Sequence, residues 1–472
     1  MEDRRKNYRV WDVDQGSQMA VSPREALPED DLVFFLLDTI PELDLSAFHQ
    51  HYAGERRGQP PFDVTMMATL LVYAYSVGVC SSRKIAAASE RNLAFRAIVG
   101  EDAPDFRTIS DFRKIHAAAF KPLFVAVLCW AGEMGLVKLG NLSTDGTKMK
   151  ANASRHKAMS YGYLEKDLAR LEAEIEELLK KAEQTDAEQD AALGSRRGDE
   201  LPAELKRRAD RLAQIRVAKA RLEAEAQAKA EAEQRRRDDE EARRQAEGRQ
   251  RRGQEPAPVD PTPADKAQTS FTDEESKIMK QNNKGFDYSY NAQAVVDGAN
   301  QIIVAAAVTN AANDKQQGVP LGQAALDNVE AAGIERPRAA DGTLVPIPNT
   351  LDAGYFSEEA VEKLTEMGFD PHIATGRQKH NEPSTPLVEG MPAADASVKD
   401  KMKHKLRTAA GQVLYAARKH IIEPVFGQIK SARGIRAFLR RGLEKVSAEW
   451  QLICLTHNLL KIWRHATRAA AC

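Results

Sequence analysis

The chain has 472 residues, 42% of them hydrophobic and 29% charged, with a formal net charge of -1. This is the composition of a globular chain, and the length exceeds what one ordinary core serves, pointing to about two to four units. No apolar run reaches the roughly 20 residues needed to span a bilayer, and the first residues lack an apolar signal core, so cytoplasmic residence is expected. The cysteines Cys80, Cys129, Cys454 and Cys472 are widely spaced and form no Cys-x-x-Cys pair, which indicates neither a disulfide framework nor a zinc site.

Residues 1–29 read as a flexible amino terminus and 30–135 as all helix. "DVTMMATLLVYAYSVG" is apolar on nearly every side, "SSRKIAAASERNLAFRAIVG" opens on a serine cap, and Arg107–Gly135 forms one long amphipathic pattern. The short second helix, the turn near "GEDAPDF" and the helix after Thr108 fit a helix-turn-helix with Arg107, Arg113 and Lys114 toward DNA. They fit a plain helical bundle equally well.

Over 136–160 the run "LVKLGNLST" is strand-like, and the Asp-Gly that follows is a turn dipeptide, which puts Asp145 at a strand end. Residues 161–265 form an insertion. Leu164, Leu168, Leu171, Ile175 and Leu178 make a heptad seam, and Leu205, Leu212, Ile215 and Leu222 a second. An antiparallel, coiled-coil-like hairpin is the simplest solution, followed by an all-round charged helix and the Pro-rich linker "QEPAPVDPTPAD". It reads as a solvated spacer or as a dimerisation arm.

From 266 to 472 strands return. "FDYSYNAQAVVD" alternates, "QIIVAAAVTN" is a buried strand, and "DKQQGVPLGQAALDNVEAAG" a helix. A short strand ends at Asp352, ahead of a helix capped by Ser357 with Val361, Leu364 and Met367 on one face. "DPHIATGRQ" is a last strand and 377–400 a loop. Glu423 lies in a helical stretch interrupted by Pro424, and "EWQLICLTHNLLKIW" is an apolar helix beneath the sheet, in which His457 reads as packed.

Two aspartates at strand ends stand where open α/β sheets place their chemistry, and a helical glutamate could join them around two Mg²⁺ ions. In two-metal phosphoryl transfer the ions lie about 3.5–4 Å apart and stabilise the attacking and leaving oxygens, and Mg²⁺ takes carboxylates together with substrate phosphates. Asp297, Asp314 and Asp341 also border strand-like runs, so local sequence does not select the set. Between Lys401 and Lys445 twelve cations, Arg418, Lys419, Lys430 and Arg433 among them, face only Glu423 and Glu444. That is a footprint for a polyanion, each phosphate neutralised adding about -0.9 to the salt slope, or else a solvated basic surface.

Five blocks in order, "RGQPPFDVTMMATLLVYAYSVGVCSSRKI", "DGTKMKANASRHKAMSY", "GFDYSYNAQAVVD", "LDAGYFSEEAV" and the stretch from Tyr415 to Ile462, carry a resemblance. Together they resemble the DDE transposases of bacterial insertion sequences. The resemblance implies an α/β fold: a ribonuclease-H-like mixed sheet with flanking helices, preceded by a helical DNA-binding domain and interrupted by the insertion. It implies Asp145, Asp352 and Glu423 as catalytic and metal-binding residues for two Mg²⁺ or Mn²⁺ ions, and cleavage at element ends followed by strand transfer. The alternatives are a metal-dependent nuclease without joining activity and an idle DNA-binding or coiled-coil protein derived from a transposase. Implied partners are terminal inverted repeats and target DNA, engaged by a homodimer in the cytoplasm at the nucleoid. Relatives carry a Tyr, Arg, Glu, Lys signature with two, three and six intervening residues. Here Tyr415, Arg418, Glu423 and Lys430 have two, four and six, and Lys419 takes the family's Arg spacing. Lys148, Lys150, Tyr415, Lys430 and Arg433, with either Arg418 or Lys419 on the phosphate, are the DNA contacts the resemblance implies.

Overall fold

Asp31, Asp63, Asn92 and Asp105 each accept a backbone N–H two or three residues on, and each thereby opens a helix. A computed structural model describes residues 23–52, 61–154, 158–193, 203–246, 248, 257–281, 285–376 and 386–471. The expectations for residues 1–22, the start of the Pro-rich linker and 377–385 lie outside them. The first region holds α1 (Pro23–Ala26), α2 (Leu32–Thr39), α3 (Ser46–His49), α4 (Val64–Ser76), α5 (Ser82–Arg91), α6 (Leu93–Val99), α7 (Phe106–Ile115) and α8 (Phe120–Glu133). Arg107–Gly135 is thus two helices rather than one. The chain bends at His116 through a short 3-10 turn, and the bend lets Phe112 and Phe120 close on Phe48 at 5.8 and 5.7 Å. No single described helix is long and apolar enough to cross a bilayer, and α7 with α8 passes that test only as a pair bent by 64°.

Next come β1 (Leu142–Lys150), β2 (Ala158–Ser160), α9 (Tyr161–Leu193), α10 (Ala203–Ala246), β3 (Gln268–Ser270), β4 (Lys277–Lys280), β5 (Phe286–Asp297) and β6 (Ile303–Thr309). The chain ends in α11 (Gly318–Ala331), β7 (Ile347–Leu351), α12 (Glu358–Glu366), β8 (Phe369–Ile373), α13 (Val398–Arg407), α14 (Ala409–Gly427) and α15 (Leu443–Ala471). The sheet is mixed. β5 lies antiparallel to β1 on one side and to β4 and β6 on the other, while β1, β7 and β8 run parallel.

β1 does not end at the Asp-Gly pair. It continues to Lys150 because β5 pairs with it over that whole length, whereas its pairing with β7 stops at Thr144↔Leu351. Gly146 sits in mid-strand because a Cβ there would overlap Gln293 Nε2 and lie 2.8 Å from Asn291 Oδ1.

α15 packs under the sheet and is bonded to it. Asn458 exchanges two 2.8 Å hydrogen bonds with the Ile303 backbone, as a neighbouring strand would, and Trp450 Nε1 donates to Gln293 O at 2.9 Å. His457 is buried with Nε2 2.9 Å from Gln301 O. One continuous core runs from Leu32 through the sheet to Ile462, so the first helices share their interior with the sheet.

The insertion has its own small core of Tyr161, Leu164, Leu171, Leu212, Ile215, Ala218 and Leu222. Ion pairs Glu165–Lys219, Asp167–Arg211 and Glu174–Arg208 fall in number on α10 as they rise on α9, which makes the two helices antiparallel. Leu178 and Leu205 lie outside the residues whose side chains are described.

Candidate active site

Where the β1–β7 register is carried one residue beyond Thr144↔Leu351, it arrives at Asp145 and Asp352. The two carboxylates therefore emerge side by side at the point where the parallel strands part. Asp145 is largely buried. Its Oδ1 accepts the Gly146 N–H at 2.8 Å and its Oδ2 meets Arg418 Nη1 at 2.6 Å. Burial pushes its carboxyl up to about 6, with Arg418 pulling it down and the charge of Asp352 adding to the rise. Asp352 caps the 3-10 turn Ala353–Tyr355 through an Oδ1 bond to the Gly354 N–H at 2.8 Å.

Across Gly354 stands Asp314, since a Cβ there would lie 3.0 Å from Asp352 Oδ1 and 3.5 Å from Asp314 Oδ2. Asp314 Oδ1 accepts from Asn291 Nδ2 at 2.5 Å and Gln293 Nε2 at 2.7 Å, and faces Lys148 Nζ at 3.6 Å. Tyr355, fully buried, donates its hydroxyl to Gln293 Oε1. Burial, then Asp145, Asp314 and Asp352, hold that hydroxyl protonated well above the usual tyrosine range. None of Asp314, Asn291, Gln293 and Tyr355 was selected from sequence. The available signal was the pair of amides at i and i+2 in the otherwise apolar buried run of β5.

α14 brings in the cations. Arg418 rather than Lys419 reaches Asp145, and Lys419 is exposed. The Tyr415 hydroxyl is pushed up by burial, and Arg418 beside it pulls it back. Lys430 Nζ donates to Thr147 Oγ1 at 2.5 Å and Lys148 O at 2.7 Å, and burial, then Arg436 and Lys148, lower it to about 8. Lys150 pairs with Asp287 at 2.9 Å.

Pro424 does not break α14. Its missing N–H frees the carbonyl of His420, and Gln301 Nε2 takes that carbonyl at 2.9 Å. A π-helical stretch, Gln428–Ala432, follows.

Glu423 lies five residues past Arg418, about 140° round the helix at 3.6 residues per turn, and is exposed. Among the described residues no three His, Cys, Asp or Glu side chains stand together closely enough to hold a metal ion, so Glu423 is not gathered with the two aspartates. The aspartate pair itself fits a divalent cation. It offers hard oxygen donors on adjoining strands, with Arg418 bonded to Asp145 among the described residues.

Two cations expected to face DNA are turned inward. Arg113 is buried, with Nη1 on Tyr75 Oη and Cys80 O at 2.8 Å each and Nη2 on Ser82 Oγ. Arg433 donates to Thr456 Oγ1 at 2.8 Å and Ile453 O at 3.2 Å. Arg107 and Lys114 remain exposed on α7, Lys114 4.0 Å from Asp111.

Two family models match the chain. One, described as a transposase domain (DUF772), covers residues 21–115, and the other, described as a transposase DDE domain, covers 391–463. The second stretch contains α13, α14 and most of α15, with Arg418, Glu423 and Lys430. No curated protein and no solved structure matches.

Proposed function

We propose, from the premise that the chain is a DDE-type transposase of an insertion sequence, that it cuts DNA strands at the element's ends and joins them to target DNA. The catalytic core is of the ribonuclease-H-like kind, with 136–160 and 266–472 as its two parts, 161–265 as the insertion and 30–135 as the end-binding domain. The observation that carries this reading is the meeting of Asp145 and Asp352 across the β1–β7 register, with Arg418 of α14 bonded to the first.

Asp145 and Asp352 would hold divalent metal, Mg²⁺ or Mn²⁺, with Glu423 as third carboxylate. Bound metal would supply positive charge to the attacking and leaving oxygens of the phosphate. Glu423 is supported by its place within the matched DDE stretch.

The remaining work belongs to side chains. Arg418 offsets the charge of Asp145 and stands where a phosphate oxygen competes for its guanidinium. Lys148 of β1, and Lys430 of the π-helical stretch held against β1 through Thr147 and the Lys148 carbonyl, meet the non-reacting phosphate oxygens, with Lys150 and Lys419 further out. In cleavage the water oxygen bonds to phosphorus as the P–O3′ bond breaks, leaving a 5′-phosphate and a protonated 3′-hydroxyl; that hydroxyl then attacks a target phosphodiester and displaces the target's own 3′-oxygen as a hydroxyl, so no covalent enzyme intermediate is required. A dimer engages two ends in the cytoplasm.

The test is cleavage and joining of labelled DNA bearing the element's ends, with Mg²⁺ or Mn²⁺, by wild type and by Asp145→Ala, Asp352→Ala and Glu423→Gln. Metal-dependent joining by wild type alone, with DNA binding kept in all variants, supports the reading. Activity surviving Asp352→Ala overturns the assignment of the pair.

A further inference from the structure

We infer that Asp314 is a positioning residue for strand cleavage: it fixes the Lys148 ammonium beside the Asp145–Asp352 pair, where Lys148 meets the phosphate. The inference rests on the proposed function and adds to it a residue outside the carboxylate triad.

The geometry is specific. Lys148 lies opposite Asn291 in the β1–β5 register and Gly146 opposite Gln293, so one face of this strand pair presents the ammonium and both amides to the loop before α11. There a single oxygen of Asp314 accepts hydrogen bonds from Asn291 Nδ2 and Gln293 Nε2 and forms an ion pair with Lys148 Nζ at 3.6 Å. Gln293 is itself fixed at its other end by the Tyr355 hydroxyl, and Tyr355 lies three residues past Asp352. The carboxylate is therefore aimed by groups on two sides of the site, and Lys148 is aimed by the carboxylate.

A lysine needs such a device. Its four-carbon stem samples many rotamers, and its ammonium is a point charge without a fork to orient it. Burial pulls the Lys148 ammonium down, and Asp314 is the foremost of the charges holding it up.

The experiment is a double-mutant cycle on metal-dependent cleavage of labelled end DNA by wild type, Asp314→Asn, Lys148→Met and the double variant. Misplacing a catalytic contact costs about tenfold or more in rate, so Asp314→Asn should lower kcat by about that factor, with KM changed by less than about twofold. In the Lys148→Met background the same change should cost less than about twofold, because its effect runs through Lys148. Equal losses in both backgrounds, a change confined to KM, or no loss overturn the inference.

A second measurement needs no activity. Reductive methylation of the free protein, read lysine by lysine by mass spectrometry, should speed several-fold at Lys148 in Asp314→Asn, with Lys419 unchanged. An unchanged Lys148 rate refutes the positioning, whereas absence of cleavage by wild type refutes the proposed function and leaves the labelling result standing.

Discussion

Replacing Glu449 by alanine removes the acceptor that ties the first helices to the segment after the π-helical stretch. Its carboxylate is buried. Oε1 accepts the Tyr75 hydroxyl at 3.0 Å, and Oε2 accepts the N–H groups of Leu439 and Arg440 at 3.0 Å each. Burial raises the Glu449 carboxyl above its ordinary range, against the pull of its donors and Arg113, so each hydrogen bond contributes the ordinary net value of about 1 kcal/mol, with about 1–3 kcal/mol lost for a buried donor left unpaired. Leu439 is partly exposed, so water recovers some of that loss at the two backbone donors, while the Tyr75 hydroxyl has no such access. The expected destabilisation is about 3 kcal/mol. Glu449→Gln keeps one acceptor oxygen and should cost about 1 kcal/mol. Urea unfolding followed by tryptophan fluorescence measures both, because Trp450 is fully buried and bonded to β5. The midpoint should fall with the slope unchanged. An alanine variant within about 1 kcal/mol of wild type would refute the reasoning, and so would a glutamine variant as costly as alanine, which would make charge rather than acceptance the operative property.

Gly146→Ala should cost about 1–3 kcal/mol by overpacking against Gln293 and Asn291, read as a lower thermal midpoint; wild-type stability would mean that the two amides yield freely. Burial lowers the His457 imidazole to about 3 from its ordinary 6.5, so from pH 6.5 downward the unfolded chain binds a proton the folded one refuses. Stability should therefore fall as pH drops through that window, and His457→Gln should flatten the dependence in denaturation series; parallel curves would count against it. Burial, then Arg436 and Lys148, lower Lys430 to about 8, so its charge is present below that pH and lost above it. DNA affinity should weaken as pH rises through 8, and Lys430→Met should remove that step; a step persisting in the variant assigns it elsewhere.

Much of the order of elements was legible because burial imposes period on sequence: β5, β6, α11, the Ser357-capped α12 and the helix beneath the sheet stand where alternation and caps put them. Asp352 at the end of β7 was equally readable from its turn. Asp145 was not, because whether a strand stops at Asp-Gly depends on its partners, and β5, some 140 residues on in sequence, decides it. The inward turn of Arg113 and Arg433 was hidden for a similar reason: a basic run reads as a surface until Tyr75, Cys80, Ile453 and Thr456 are known to surround it. Asp314 sat among several acids beside strands, and only the cross-strand amides of β5 distinguish it.

The helical hairpin departs from and returns to a single point. β2 and β3 pair at its neck, with Tyr161 N–H bonded to Ala267 O at 2.8 Å and Gly162 N–H to Asp265 O at 3.2 Å. The arm is not sealed off behind that clasp, because past it α10 runs on over the sheet's own elements: Glu225 pairs with Lys277 of β4 at 2.6 Å, and Glu233 and Arg236 line one cavity with Lys315 and Ser357. Chain added between α9 and α10 would leave the register that sets Asp145 beside Asp352 untouched, at about 0.6 kcal/mol per doubling of the closed length, whereas trimming α10 beyond Glu223 would remove contacts that the sheet itself makes.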